Sequence, residues 1–172
     1  MLKLNSRDFL EVSVKLSLIT AINMAFLNNE WYPKKVAGKW ITYCNKSVRF
    51  ICQQLGIELP PTYALANDIC DYLDGPYSSD WEEISYEDGF AEAKKGNIVI
   101  AGQKGSPNGH VAILYPADDM QYSGTFGGLV PIVFNMGLTV GIVKLSFAFK
   151  SSVKPKLYIY KGTKRRCYEK NS

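Results

Sequence analysis

The sequence predicts an α+β domain in which helices come first and an antiparallel β-sheet follows. Two observations carry that expectation. Apolar residues recur at helical spacing as far as about residue 94, and beyond residue 97 they fall into short runs punctuated by Gly, Pro and Asn. The links between those runs are short, which suits strands that turn back on their neighbours.

The elements follow in order. Residues 7–28 place Leu10, Val14, Leu18, Ile22 and Phe26 at four-residue steps, a helical stripe that Asn5 or Ser6 would cap. Residues 30–43 read as a loop broken by Pro33 and Gly38. A second helix is expected over 44–55, with Cys44, Val48, Ile51, Cys52 and Leu55 on its apolar face. Thr42 is its expected cap and Gly56 its stop. Pro60 and Pro61 precede a third helix near 63–73, closed by Asp74, Gly75 and Pro76, and a short helix over 86–94 ends at Gly96. Strands are expected at 97–101, 110–115, 131–136, 141–149 and 157–160, with GQKGSPNG turning between the first two. No internal repeat or second apolar unit interrupts the pattern, so 1–172 reads as one domain.

Composition narrows the function. Nearly half of the 172 residues are hydrophobic, enough for a packed core and too many for a disordered chain. No apolar run approaches the roughly 18 residues that span a bilayer, so no integral membrane association is expected. Asp8 and Glu11 interrupt the stretch where a secretory signal needs an unbroken apolar core, so synthesis in the cytosol is expected. The formal net charge is +4, but residues 150–172 hold eight Lys and Arg against Glu169 alone. Lys161, Lys164, Arg165 and Arg166 cluster in that basic strand and tail, which reads as a solvated segment or as a contact for a wall polyanion. No nucleic-acid-binding fold accompanies it, and no nucleic-acid partner is expected. The four cysteines, Cys44, Cys52, Cys70 and Cys167, form neither a CxxC pair nor a disulfide framework.

The chain has one histidine. Zinc amidases and HExxH peptidases need two or more His ligands, so neither they nor any metal or other cofactor is expected. A His base must be His110, which follows a Gly-rich turn and opens a strand on the face of Ala112 and Leu114, with Gly109 leaving room for the ring. Cys44 starts the second helix, where free N–H groups and the helix dipole favour a thiolate; it is otherwise a small core residue. Cys52 and Cys70 sit among apolar helical neighbours and read as core, and Cys167 lies in the basic tail. Asn135, on the next strand, could hold the second ring nitrogen of His110, with Asp118 and Asp119 as rivals. The Cys44 backbone N–H is a natural oxyanion donor, and Tyr43, Gln103 and Trp40 are open candidates for a second. Trp31, Trp40 and Tyr43 either line the cleft or fill the core, and the core is favoured.

Several segments resemble one family. TYCNKSVRFICQQLG looks like the nucleophile helix of NlpC-type and CHAP-type cell-wall amidases, and AKKGNIVIAGQKGSPNGHVAILYP resembles their paired strands, in which GHVA carries the base. YSGTFGGLVPIVFNMG followed by GIVKLSFAF resembles a subgroup whose third polar residue lies in an N-x-G strand, and ALANDICDYL and DWEEIS match its helical insert. The likeness covers residues 36–149. It implies a papain-like fold, with Cys44 as nucleophile, His110 as general base and Asn135 as the orienting group. It also implies a peptidoglycan stem peptide or muramoyl-peptide amide as substrate, cleaved through a thioester.

Two other functions compete. One is a wall- or partner-binding module of the same fold without catalysis. The other is a glycosidase using Glu82, Glu83, Glu87 and Asp88, which fall in an expected solvated helical region. For the leading reading a monomer is expected, reaching the wall by lysis-type release or by a secretion machine.

Overall fold

The computed structural model describes residues 6–60, 63–75, 79–149 and 153–162, with side chains from residue 10 onward. Five helices are described: α1 (Ser6–Phe26), α2 (Cys44–Gln54), α3 (Ala66–Asp74), α4 (Tyr86–Lys94) and α5 (Leu145–Ala148). The strands are β1 (Lys34–Val36), β2 (Lys39–Ile41), β3 (Trp81–Ile84), β4 (Val99–Gln103), β5 (His110–Leu114), β6 (Gln121–Ser123), β7 (Gly128–Val130), β8 (Ile132–Met136), β9 (Val140–Lys144) and β10 (Lys156–Tyr160). The expected α+β architecture with an antiparallel sheet is present. Six strands form that sheet in the order β3-β10-β4-β5-β8-β9.

Periodicity explains the helical layer. α1 buries Leu18, Ala21, Ile22 and Ala25. The expected four-residue stripe holds only at its centre, because four residues turn a helix by about 400° and each step slips by about 40°. Its end members Leu10 and Phe26 therefore rotate outward and are 63% and 41% exposed. The expected Asn5 or Ser6 cap lies outside the described residues and side chains. α2 buries the face read from sequence, Cys44, Val48, Ile51 and Cys52, together with Ser47. It stops where Gly56 takes φ +71°. The Gly56 N–H then donates to Gln53 O at 3.0 Å and the Ile57 N–H to Cys52 O at 2.9 Å, a Schellman closure.

Five expectations are corrected. The segment taken as a loop over 30–43 contains a 3₁₀ turn (Asn29–Trp31) and the β1–β2 hairpin. Ala37 and Gly38 turn that hairpin at φ +48° and +79°, the two positive angles of a type I′ turn. All its strand residues are exposed, so no apolar alternation announced it. α3 begins at Ala66, after the prolines, where the Asp68 carboxylate accepts the Leu65 N–H at 2.7 Å. DWEEIS is not helical: Trp81–Ile84 is an edge strand whose ladder to β10 overrides the poor strand propensity of Glu82 and Glu83. β4 runs two residues later than expected, and an unforeseen hairpin joins β6 to β7. The strand expected over 141–149 breaks after Lys144, and a Phe149 N–H to Leu145 O bond of 3.0 Å closes the one-turn α5.

Both faces of the sheet are covered. Val111 and Ile113 of β5 join a core with α1, α2 and α3, including Leu18, Ile51 and Ile69. Ala112 and Leu114 point the other way, into a second core with Ala93 of α4, Phe126, Val130 of β7 and Leu145 of α5. A strand buried on both faces reads as a continuous apolar run, as VAIL does here. α2 crosses β5, which brings the start of that helix to the start of that strand. No helix among the described residues is long and apolar enough to cross a membrane.

Candidate active site

Cys44 is the first residue of α2, and its helix-opening geometry leaves donors available. The first intrahelical bond is the Ser47 N–H to Tyr43 O, at 3.1 Å, so the N–H groups of Cys44, Asn45 and Lys46 have no partner within the helix. Tyr43 occupies the cap position without a side-chain cap bond, which corrects the expectation of Thr42. The Asn45 side chain pins this end by donating to Ala64 O at 2.8 Å.

The sulfur lies within hydrogen-bonding reach of the His110 imidazole, and the backbone N–H groups of Val111 and Asn45 point at it. Burial pushes the Cys44 thiol up. The hydrogen bond and charge of His110, with those two N–H groups, outweigh it, and the thiol titrates below its ordinary range. His110 shows the converse: burial lowers it, but the hydrogen bond and charge of the Cys44 thiolate and the bond to Asn135 carry it above the usual imidazole range. The pair is thereby biased toward thiolate and imidazolium.

Asn135 fixes the imidazole. Its Nδ2 donates to Thr139 O at 2.5 Å, so its Oδ1 must be the acceptor that meets His110 Nε2 at 2.6 Å. Nε2 therefore carries hydrogen, and Nδ1 is the nitrogen left for the sulfur. Asn135 is 1% exposed, and both ends of its amide are satisfied. The sheet register produces this meeting. β5 and β8 pair Ile113 with Phe134 and Leu114 with Val133. Continuing that register sets Ala112 against Asn135 and His110 against Gly137, so Asn135 is a diagonal same-face neighbour of His110. A Cβ on Gly137 would lie 2.9 Å from His110 Cε1, so this glycine leaves room for the ring. On the other side Phe149 packs edge-on to the imidazole at 4.9 Å.

The rival residues are placed elsewhere. Asp118 and Asp119 follow the far end of β5, and the Asp118 carbonyl accepts Lys94 Nζ at 2.9 Å. Gln103 pairs with His110 across β4 and β5, but its Nε2 donates to Val153 O at 2.6 Å. Cys52 and Cys70 are buried thiols whose desolvation pushes them up, Cys70 to about 12 with Asp74 adding to the effect. Glu82 and Glu83 stand on an edge strand at the opposite end of the sheet order from β8. Cys167 and most of the basic cluster lie outside the described residues.

A groove of about 320 Å³ opens on the His110–Asn135 pair and is walled by Trp40, Thr42, Leu138 and Phe147. Trp40 is 59% exposed, so it lines the groove and does not fill the core. Trp31 does pack inward, against Phe50 at 5.1 Å, and Tyr43 is half-buried. Gly137, Thr139 and Phe149 were not singled out from sequence. Gly137 was reachable from the N-x-G spacing once the register was known, whereas Thr139 acts through its backbone carbonyl and leaves no side-chain mark. A larger groove of about 450 Å³ between α1 and α2 is lined by residues such as Val12, Leu16 and Met24 and contains no titratable side chain. Among the described residues no group of three or more His, Cys, Asp and Glu side chains gathers as metal ligands would.

No family model matches this chain, and no curated protein matches it.

Proposed function

We propose that this protein is a papain-like cysteine hydrolase that cleaves an amide bond in bacterial peptidoglycan, as a stem-peptide endopeptidase or a muramoyl-peptide amidase. One observation carries the chemistry: a single imidazole is held by Asn135 on Nε2 while its other side meets a thiol whose titration is lowered despite burial. The choice of peptidoglycan rests on the resemblance of residues 36–149 to NlpC-type and CHAP-type enzymes.

In this reading the Cys44 thiolate attacks the carbonyl carbon, and the carbonyl π electrons move onto oxygen. First-turn N–H groups of α2, that of Cys44 foremost, stabilise the oxyanion. The imidazolium of His110 protonates the departing amine as the C–N bond breaks, leaving a thioester on Cys44. His110, now neutral, takes a proton from water, whose oxygen attacks the thioester and releases the acid. Asn135 holds the ring in the tautomer that presents Nδ1 to sulfur throughout.

The test is digestion of purified wall sacs by the wild-type chain and by Cys44→Ala, with mass analysis of the released fragments. Fragments from the wild type alone are expected, the two products of each cut together exceeding the uncut segment by the mass of one water at the same amide. Equal release by both proteins sinks the proposal, and saturable binding to sacs by both without product favours the binding-module reading.

A further inference from the structure

The β1–β2 hairpin is the least predictable part of the fold and the nearest secondary structure to one wall of the groove. Its register pairs Lys35 with Trp40, and Lys34 with Ile41 and Val36 with Lys39 on either side. Side chains alternate along each strand, and directly paired residues share a face. Lys35 therefore stands on the face of Trp40, with Cβ atoms about 4.5–5.5 Å apart. Lys34 and Lys39 stand on the other face. Trp40 is a groove wall, so of these three lysines Lys35 is the one set beside it.

The charges around the groove point one way. Among the described residues no Asp or Glu lines it. No described acidic side chain forms an ion pair with Lys35. Beside Phe147, which also lines the groove, Lys144 Nζ lies 4.8 Å from the ring centre while donating to Tyr122 O at 2.9 Å, which adds a second positive charge. Each of these two aromatic lining residues thus has a lysine beside it, and His110 lines the same groove.

We infer that the groove selects peptides bearing a free carboxylate along the Trp40 wall, and that Lys35 is the residue that reads it. Trp40 supplies an apolar plane against which the peptide lies, and the Lys35 ammonium meets the carboxylate at its rim. Lys144 has its donors partly engaged, so it contributes field more than a directed bond. This rests on the groove being the substrate cleft of the proposed hydrolase.

The experiment uses the full chain carrying Cys44→Ala, so that ligand survives, and two probes. One is a synthetic wall stem peptide with its carboxylates free, and the other is the same peptide with those carboxylates converted to amides. Binding is followed by fluorescence anisotropy in the Cys44→Ala chain and in the same chain with Lys35→Ala or Lys34→Ala added. The free-carboxylate peptide is expected to bind more tightly, by about fivefold as suits an exposed ion pair, with the advantage shrinking as salt is raised. Lys35→Ala should abolish that advantage and Lys34→Ala should leave it. Equal binding of the two peptides, no binding of the carboxylate form, or equal losses in the two lysine variants overturns the assignment. Wall digestion by the wild-type chain, run in parallel, separates the two readings. Digestion without charge discrimination removes the role of Lys35 alone. Discrimination without digestion removes the hydrolase and leaves Lys35 as a binding residue.

Discussion

A methyl group added at Gly137 is the smallest perturbation that should disable the site while sparing the fold. Built on the existing backbone, the Cβ of Gly137→Ala lies 2.9 Å from His110 Cε1 and 3.2 and 3.3 Å from the two terminal atoms of the Asn135 amide. Ordinary carbon contacts sit at about 3.5–4.0 Å. The imidazole must therefore retreat by about 0.6 Å or more, or the β8–β9 turn must shift by as much. Either motion strains the 2.6 Å bond between His110 Nε2 and Asn135 Oδ1 and changes the distance from Nδ1 to the sulfur. A misplacement approaching 1 Å at a reacting group lowers rate by on the order of 100-fold.

The assay is kcat/KM on a defined wall peptide beside a thermal melt. The variant is expected to retain a cooperative melt within a few degrees of the wild type, because the three nearest atoms the added group meets belong to two side chains. The loss should fall mainly on kcat, since the methyl group presses on the acid–base pair and leaves Trp40 and Phe147 in place. A variant with wild-type kcat/KM refutes the claim that Gly137 positions the ring. One that fails to melt cooperatively shows the residue to be a folding determinant instead.

Four further outcomes follow from the same geometry. Alkylation of Cys44 should proceed at a lower pH than for an ordinary thiol; His110→Ala should move it upward, because burial is then opposed only by the Val111 and Asn45 N–H groups. Hydrolysis should set in at a pH below the ordinary thiol range and persist to a pH above the ordinary imidazole range before it falls, and a profile that shows neither displacement refutes the paired titration. Asn135→Ala should lower kcat by on the order of 100-fold and destabilise the fold by about 1–3 kcal/mol in urea, since it strands the His110 Nε2–H and the Thr139 carbonyl. Cys52→Ser should cost about 1–3 kcal/mol by placing a hydroxyl in a fully buried apolar site, yet leave activity per folded molecule unchanged.

Some of this arrangement was readable before folding and some was not, and the division is physical. The start of α2, the opening of β5 and the position of Asn135 on the following strand are written in apolar periodicity and in Gly56, because those signals are local. Gly137 and Phe149 act through register and through the break after Lys144, which only pairing with β8 and packing of Leu145 decide. Thr139 contributes a carbonyl, which every residue has. Trp40 was misread because an aromatic residue defaults to the core, whereas a short exposed hairpin holds this one at the groove. Trp81–Ile84 was misread because two glutamates look helical until an edge of the sheet claims them.

The three described cysteines show why position outweighs residue type. Each is buried, and burial alone drives every one of their thiols upward. Cys44 and Cys52 even share the apolar face of one helix. Cys52 lies deeper in the helix, where the backbone N–H groups are already committed to carbonyls, and the charge of Arg49 alone does not offset its burial. Cys44 lies where the same backbone has N–H groups with no helical partner, beside the imidazole that β5 brings to it. The low polarity that makes Cys52 inert strengthens each of those interactions at Cys44. A nearly sealed sulfur is thus compatible with reactivity when the groups sealing it are N–H donors and an imidazole, and that imidazole lines the groove.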